Sequence, residues 1–114
     1  MGVRDQLRVD VRHDAGRAII TLAGELDMAS VEVLQQALDE ETLAAEPMLV
    51  LDLEQLQFID STGLRIILRA LERCRAHGQD FAITPGSAQV QRLLSITGVA
   101  AHLPTISSSD EMVA

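Results

Sequence analysis

Apolar Leu7, Val9 and Val11 alternate with charged Arg8, Asp10 and Arg12, the period-two pattern of a half-buried strand. Asp14-Ala15-Gly16 supplies a turn, and residues 18–23, rich in Ile and Leu, read as a second strand. So short a connection predicts an antiparallel hairpin. Gly24-Glu25-Leu26-Asp27 then reads as the exit from the sheet. A helix is expected over residues 28–41, with Val31, Leu34 and Leu38 facing inward and Asp27 or Ser30 as its cap. Residues 48–53 form an apolar run with almost no polar alternation, as expected of a strand covered on both faces.

From Leu64 the period changes. Leu64, Ile67, Leu68, Leu71 and Cys74 fall on one side of a helix, and Arg65, Arg69, Glu72 and Arg73 on the other. That helix is expected over residues 61–77, after a short loop from the apolar strand, with Gly78 as its stop. Residues 81–84 read as a short strand. Pro85-Gly86-Ser87 then turns into a third helix, with Val90, Leu93, Leu94 and Thr97 inward and Gly98 at its end. Residues 103–106 are expected to form a weak last strand, Pro104 marking an edge position. Ser108 and Glu111 have capping-box spacing, so a short helix is expected over 110–113. Helices between strands imply right-handed parallel crossovers. The fold class is therefore α/β: a small mixed sheet, begun by a hairpin, packed against helices.

Composition narrows this picture. The 114 residues have room for one domain, spanning 1–114, around one modest core. Apolar residues make up 47% and Phe occurs only twice, with no Tyr or Trp, so the core must be aliphatic. Nothing approaches the roughly 20 apolar residues of a membrane span, and Met1-Gly2-Val3-Arg4-Asp5 lacks the apolar stretch of a secretory signal. The single Cys74 lies on the apolar side of its helix and has no second cysteine to pair with. A cytoplasmic protein is expected. The net charge is −8, which disfavours nucleic acid as a partner, because binding it needs a basic surface. Arg65, Arg69, Arg73 and Arg75 share one helix and read as a solvated face.

Candidate chemistry gathers at Asp60-Ser61-Thr62-Gly63, where strand gives way to helix. The first N–H groups of a helix lack intrahelical acceptors, and the helix dipole places partial positive charge there. A phosphate on Ser61 would meet donors rather than repulsion. The simpler reading is that Asp60 or Ser61 is only an N-cap. Gly63 in the first turn suits a surface that must be approached closely. Elsewhere candidates for catalysis are thin. His13, His77 and His102 belong to no metal-ligand spacing, and there is no P-loop, no GxGxxG and no GxSxG. Asp27, Asp52 and Asp60 could converge on a metal, but such residues are more often capping or solvent-facing groups. No catalytic residue, metal or cofactor is expected.

Asp60-Ser61-Thr62-Gly63-Leu64 also resembles the signature of the STAS domain, specifically the stand-alone anti-sigma factor antagonists of bacteria. The resemblance extends to Leu49-Val50-Leu51-Asp52-Leu53 before the serine and to Gly24-Glu25-Leu26-Asp27 after the second strand. Val90-Gln91-Arg92-Leu93-Leu94-Ser95-Ile96-Thr97-Gly98-Val99 matches the family's penultimate helix and its glycine stop. It implies the STAS fold and a partner-switching role in which the unphosphorylated protein binds an anti-sigma factor that is also a serine kinase. The sigma factor is thereby released. The kinase, using ATP that it binds itself, would phosphorylate Ser61, with Thr62 the second choice. A PP2C-type serine phosphatase would reverse the step. The partner surface implied comprises Glu25, Asp27, Met28, Asp60, Thr62 and Gly63. No direct contact with nucleic acid or membrane is implied, and a weak homodimer is left open. Arg65 departs from the family pattern, standing where many members have a small residue. The last helix, ending at Ala114, is shorter than usual. Two other readings are a STAS scaffold that is never phosphorylated, for example on an ABC-transporter ATPase, and a binder of small anions at the helix end.

Overall fold

The computed structural model describes residues 7–106. Strand β1 (Arg8–Asp14) pairs antiparallel with β2 (Arg17–Leu26), and Val9 and Val11 lie opposite Leu22 and Ile20. Ala15 and Gly16 both adopt positive φ, 54° and 80°, the backbone of a two-residue turn whose twist matches that of the strands it joins. The expected hairpin is present. Two helices follow, α1 (Val31–Leu38) and the single turn α2 (Glu41–Ala44). Then come β3 (Met48–Ile59), α3 (Ser61–Ala76), β4 (Asp80–Ile83) and α4 (Ala88–Ile96). A 3-10 turn (Val99–His102) completes the described elements. The sheet order is β1-β2-β3-β4, with β2, β3 and β4 mutually parallel.

The central strands are buried on both faces, as their unbroken apolar runs require. Ala18, Leu49 and Phe81 stand in register, as do Ile20, Leu51 and Ile83, and these six enter one aliphatic cluster. That cluster also takes Leu34 and Leu38 from α1, Leu43 from α2, Leu64, Ile67 and Leu71 from α3, and Val90 and Leu94 from α4. On the other face Ile19, Val50 and Ala82 align and are equally buried. Complete burial of a Leu or Ile side chain contributes roughly 1.5–3 kcal/mol, so the absence of Tyr and Trp costs the core little.

Several boundaries differ from those the sequence suggests. Gly24, Glu25 and Leu26 do not leave the sheet; they continue β2, paired with Leu56, Phe58 and Ile59 of β3. β3 likewise runs to Ile59 rather than stopping at Leu53, so the expected loop shrinks to Asp60. The reason is two bulges. Between Thr21–Ala23 and Asp52–Gln55, and again between Gly24–Glu25 and Leu56–Phe58, β3 carries one residue more than β2. Each bulge resets which side chains point inward. Leu51, Leu53, Leu56 and Ile59 therefore all reach the core, although their spacing obeys neither a strand nor a helix period. Asp52 and Thr84 secure the first bulge. Thr84 Oγ1 accepts from Leu53 N–H at 2.7 Å and donates to Asp52 Oδ1 at 3.1 Å, and that same oxygen accepts from Glu54 N–H.

The first helix starts at Val31 rather than residue 28 and breaks after Leu38. Arg73 from α3 explains the break: its guanidinium donates to the carbonyl of Leu38 and to Asp39 Oδ1 (3.2 Å), satisfying an end that helical continuation would otherwise satisfy. Arg73 is thus a structural tie even though it is exposed, as are Arg65, Arg69 and Arg75. On α3 the inward side includes Ile66 and Ala70, and Leu68 is only half-buried. On α4, Val90 and Leu94 are buried while Thr97 is exposed, its hydroxyl bonded to the Leu93 carbonyl. The expected last strand is reduced to one parallel bridge, Thr105 to Ile83, at the edge beside β4. The expected helix over 110–113 lies outside the described residues.

Candidate functional site

The parallel strands β2 and β3 end side by side, and the chain leaves both at one edge. Leu26 and Ile59 are the last paired residues, and Asp60 N–H donates to the Leu26 carbonyl at 3.1 Å, pinning the start of α3 against the end of β2. Asp60 is then the N-cap. Its Oδ1 accepts from Gly63 N–H at 2.9 Å, and its Oδ2 reaches across to accept from Met28 N–H at 3.1 Å. One carboxylate therefore caps α3 and fixes the loop after β2. Of the two cap candidates, the structure selects Asp60.

Ser61 is left without that task. It occupies the first position of α3, its side chain is exposed, and its hydroxyl makes no hydrogen bond with any described residue. Thr62 is half-buried beside it. The backbone N–H groups of Ser61 and Thr62 have no acceptor among the described residues, as expected for the first turn of a helix.

Gly63 explains how the helix end can sit so low. A Cβ at this position would lie 2.7 Å from Leu26 Cγ, 2.8 Å from the Leu26 carbonyl oxygen and 3.0 Å from Ile59 Cγ1. The close approach expected from this glycine is thus an approach to its own sheet. Gly63 is buried and cannot itself offer a contact surface.

The loop 27–30 is built around Asp27 and Ser30. Asp27 Oδ1 accepts from Ala29 N–H at 3.0 Å, and the Ser30 hydroxyl accepts from Asp27 N–H at 3.0 Å while lying 2.8 Å from the Glu25 carbonyl. Asp27 is buried, so its carboxylate holds the loop and is not presented outward. Glu25 is half-buried. Met28 is 76% exposed at the loop tip, one hydrogen bond away from the cap carboxylate. Sequence reasoning passed over Phe58, which points away from the core beside Glu25 and is partly exposed. An aromatic residue one step from inward-facing Ile59 was the available signal. Asp27 and Asp60 both hold this loop, but Asp52 is occupied at the first bulge with Thr84. Among the described residues no group of three or more His, Cys, Asp or Glu side chains is placed to hold a metal ion.

The family model of the STAS domain matches residues 7–112. The chain belongs to the STAS-domain family. An anti-sigma F factor antagonist of Paenibacillus polymyxa is 31% identical over 99 residues, covering 86% of this chain and 85% of that protein. Among solved structures, an anti-sigma factor antagonist from Mycobacterium paratuberculosis superposes with a TM-score of 0.85 at 24% identity, covering 96% of this chain and 93% of that one. The phosphorylated form of the Bacillus cell-fate determinant SpoIIAA gives a TM-score of 0.66 at 19% identity, covering 87% and 91%. The mixed sheet and its helices in this STAS domain are accordingly those of anti-sigma factor antagonists, which are regulatory binding proteins. No helix among the described residues is long and apolar enough to cross a membrane.

Proposed function

We propose that this STAS domain is an anti-sigma factor antagonist of the partner-switching kind. In its unphosphorylated form it binds an anti-sigma factor that is also a serine kinase, and so releases the sigma factor. The surface used is the edge formed by Met28, Glu25 and Thr62 around Ser61, with Asp27, Asp60 and Gly63 setting its shape from beneath. The kinase transfers the γ-phosphoryl group of its ATP to Ser61: a P–O bond to Oγ forms as the bond to the β-phosphate oxygen breaks. ADP leaves, and the hydroxyl proton passes to a base of the kinase. A PP2C-type phosphatase removes the group by hydrolysis. The domain itself contributes no catalysis.

One observation carries this reading. The hydroxyl of Ser61 is exposed and bonded to no described residue, while Asp60 does the capping, so a phosphate there costs the described fold no existing interaction. The names of the relatives support the antagonist role, and the helix end makes the phosphate tolerable to the fold. Binding is another matter. The added charge, about −1.5 to −2 at neutral pH, stands next to Asp60 at a surface that a partner must desolvate. A penalty of ~3 kcal/mol weakens affinity more than a hundredfold.

The test is to incubate the protein with ATP and a candidate anti-sigma kinase and to measure intact mass for wild type and Ser61→Ala. One added phosphate, absent from Ser61→Ala, is expected. If Ser61→Ala still gains mass, the acceptor is Thr62. If kinase binds but no mass is ever gained, the domain acts as a scaffold and the switch is wrong.

A further inference from the structure

We propose that Arg65 is a built-in counter-charge for a phosphate on Ser61, drawing it onto the outer face of α3. This rests on Ser61 being the phosphorylated residue and adds a residue role to that reading.

Ser61 and Arg65 are four residues apart on one helix, so they lie one above the other on the same face, with Cβ atoms about 5–6 Å apart. The Cα–Cβ bonds of a helix tilt toward its N-terminus, and long side chains follow that tilt. Arg65 therefore leans back over the turn that carries Ser61. Both residues are exposed, and among the described residues Arg65 forms no hydrogen bond or ion pair that would compete for its guanidinium. Arg73, on the same helix, is by contrast committed to Asp39 and the Leu38 carbonyl. An acid four residues before a base is also the more favourable order on a helix. Arginine can meet a phosphate with two parallel N–H donors, which lysine cannot.

Charge around the serine gives the pair its consequence. Asp60, the cap before Ser61, is hydrogen-bonded to the Met28 N–H of the loop that also carries Asp27, so acidic charge gathers at the start of the helix and repels a phosphate there. Arg65 stands on the helix side, with Arg69 a further turn along. A phosphate at Ser61 is thus pushed from one side and drawn to the other, away from the loop tip at Met28. Free Arg65 in the unmodified protein becomes paired Arg65 in the modified one, so the switch changes two side chains on the surface and not one.

The experiment uses the full chain with phosphoserine placed at position 61 by encoded incorporation, so the outcome does not depend on whether any kinase modifies the site. The second ionisation of the phosphate, ordinarily near pKa 6, is followed by phosphorus NMR in wild type, Arg65→Ala, Arg65→Lys and Arg69→Ala. A cation beside the phosphate favours the dianion, so the wild-type value is expected to lie below that of Arg65→Ala by about 0.3 unit. Arg65→Lys should fall between them. Arg69, about 12 Å along the axis from Ser61, should leave the value at that of wild type. The difference between wild type and Arg65→Ala should vanish at about 1 M salt. Equal values in wild type and Arg65→Ala at low salt, or a shift as large in Arg69→Ala, would overturn the proposal. Failure of the kinase experiment with an intact Arg65 shift would instead count against the phosphorylation switch alone.

Discussion

Replacing Gly63 by Ala tests the packing on which the site is built, and the sign of the result decides. In an exposed helix Gly→Ala stabilises by about 0.8–1 kcal/mol, because alanine loses less backbone freedom on folding. At Gly63 the added methyl would sit 2.8 Å from the Leu26 carbonyl oxygen and 2.7 Å from Leu26 Cγ. Leu26 Cγ belongs to a side chain with no exposed surface, and the carbonyl is the acceptor for Asp60 N–H, so neither yields freely. Overpacking of this kind costs typically 1–3 kcal/mol, and stretching the Asp60 bond adds part of a hydrogen bond, about 0.5–1.5 kcal/mol. After the helix gain is subtracted, a net loss of ~1–3 kcal/mol remains, which for a chain of this size lowers Tm by several degrees. Urea denaturation with a two-state fit measures it. The double variant Leu26→Ala/Gly63→Ala removes the side-chain clash but keeps the carbonyl one, and should recover only part of the coupling. A Gly63→Ala protein as stable as wild type, or more so, would refute the idea that α3 is seated directly on the end of β2.

Asp60→Ala removes acceptors from Gly63 N–H and Met28 N–H together and should cost about 1–3 kcal/mol, with faster amide exchange at Met28; Asp60→Asn should lose less. Thr84→Val keeps the volume but leaves the Leu53 N–H without its acceptor and Asp52 Oδ1 with only the Glu54 N–H as donor, so a loss of about 1–3 kcal/mol is expected in chemical denaturation, and Thr84→Ser should restore much of it. Burial pushes the Cys74 thiol above its ordinary pKa, with Arg73 pulling it partly back. A raised folded value means that this group's contribution to stability is complete below the ordinary thiol range and declines as pH rises through the folded one. Thiol-specific reagents at mildly alkaline pH should accordingly react slowly with the native protein and quickly in urea, and rapid native reaction would contradict the burial.

The hairpin, the central apolar strand and the Asp60-Ser61-Thr62-Gly63 junction were legible in the sequence because each follows from local chemistry: alternation, an unbroken apolar run, a cap before a periodic helix. What was not legible depended on pairing at a distance. The strand character of Gly24 to Leu26 comes from its partners in β3, and a glycine followed by a glutamate gives no local sign of it. Leu53, Leu56 and Ile59 hide their common face because two bulges intervene, and bulges are settled by cross-strand register and by the Thr84–Asp52 contact. The break after Leu38 is made by Arg73, thirty-five residues later. Within the candidate site, the structure redistributes the duties expected of the residues. Asp27, read as a contact residue, is buried in its own loop, and Gly63 serves the sheet beneath it. Met28 and Ser61 remain the exposed groups at the edge.

The central claim is that one phosphate on Ser61 decides whether the partner binds. Titration calorimetry of a cognate anti-sigma factor against the unmodified protein and against the same protein carrying phosphoserine at 61 tests it directly. The account predicts a loss of affinity of more than about a hundredfold on modification, equivalent to ~3 kcal/mol, and near wild-type affinity for Ser61→Ala, because the Ser61 hydroxyl makes no hydrogen bond with any described residue. Equal affinity for the modified and unmodified forms would contradict it.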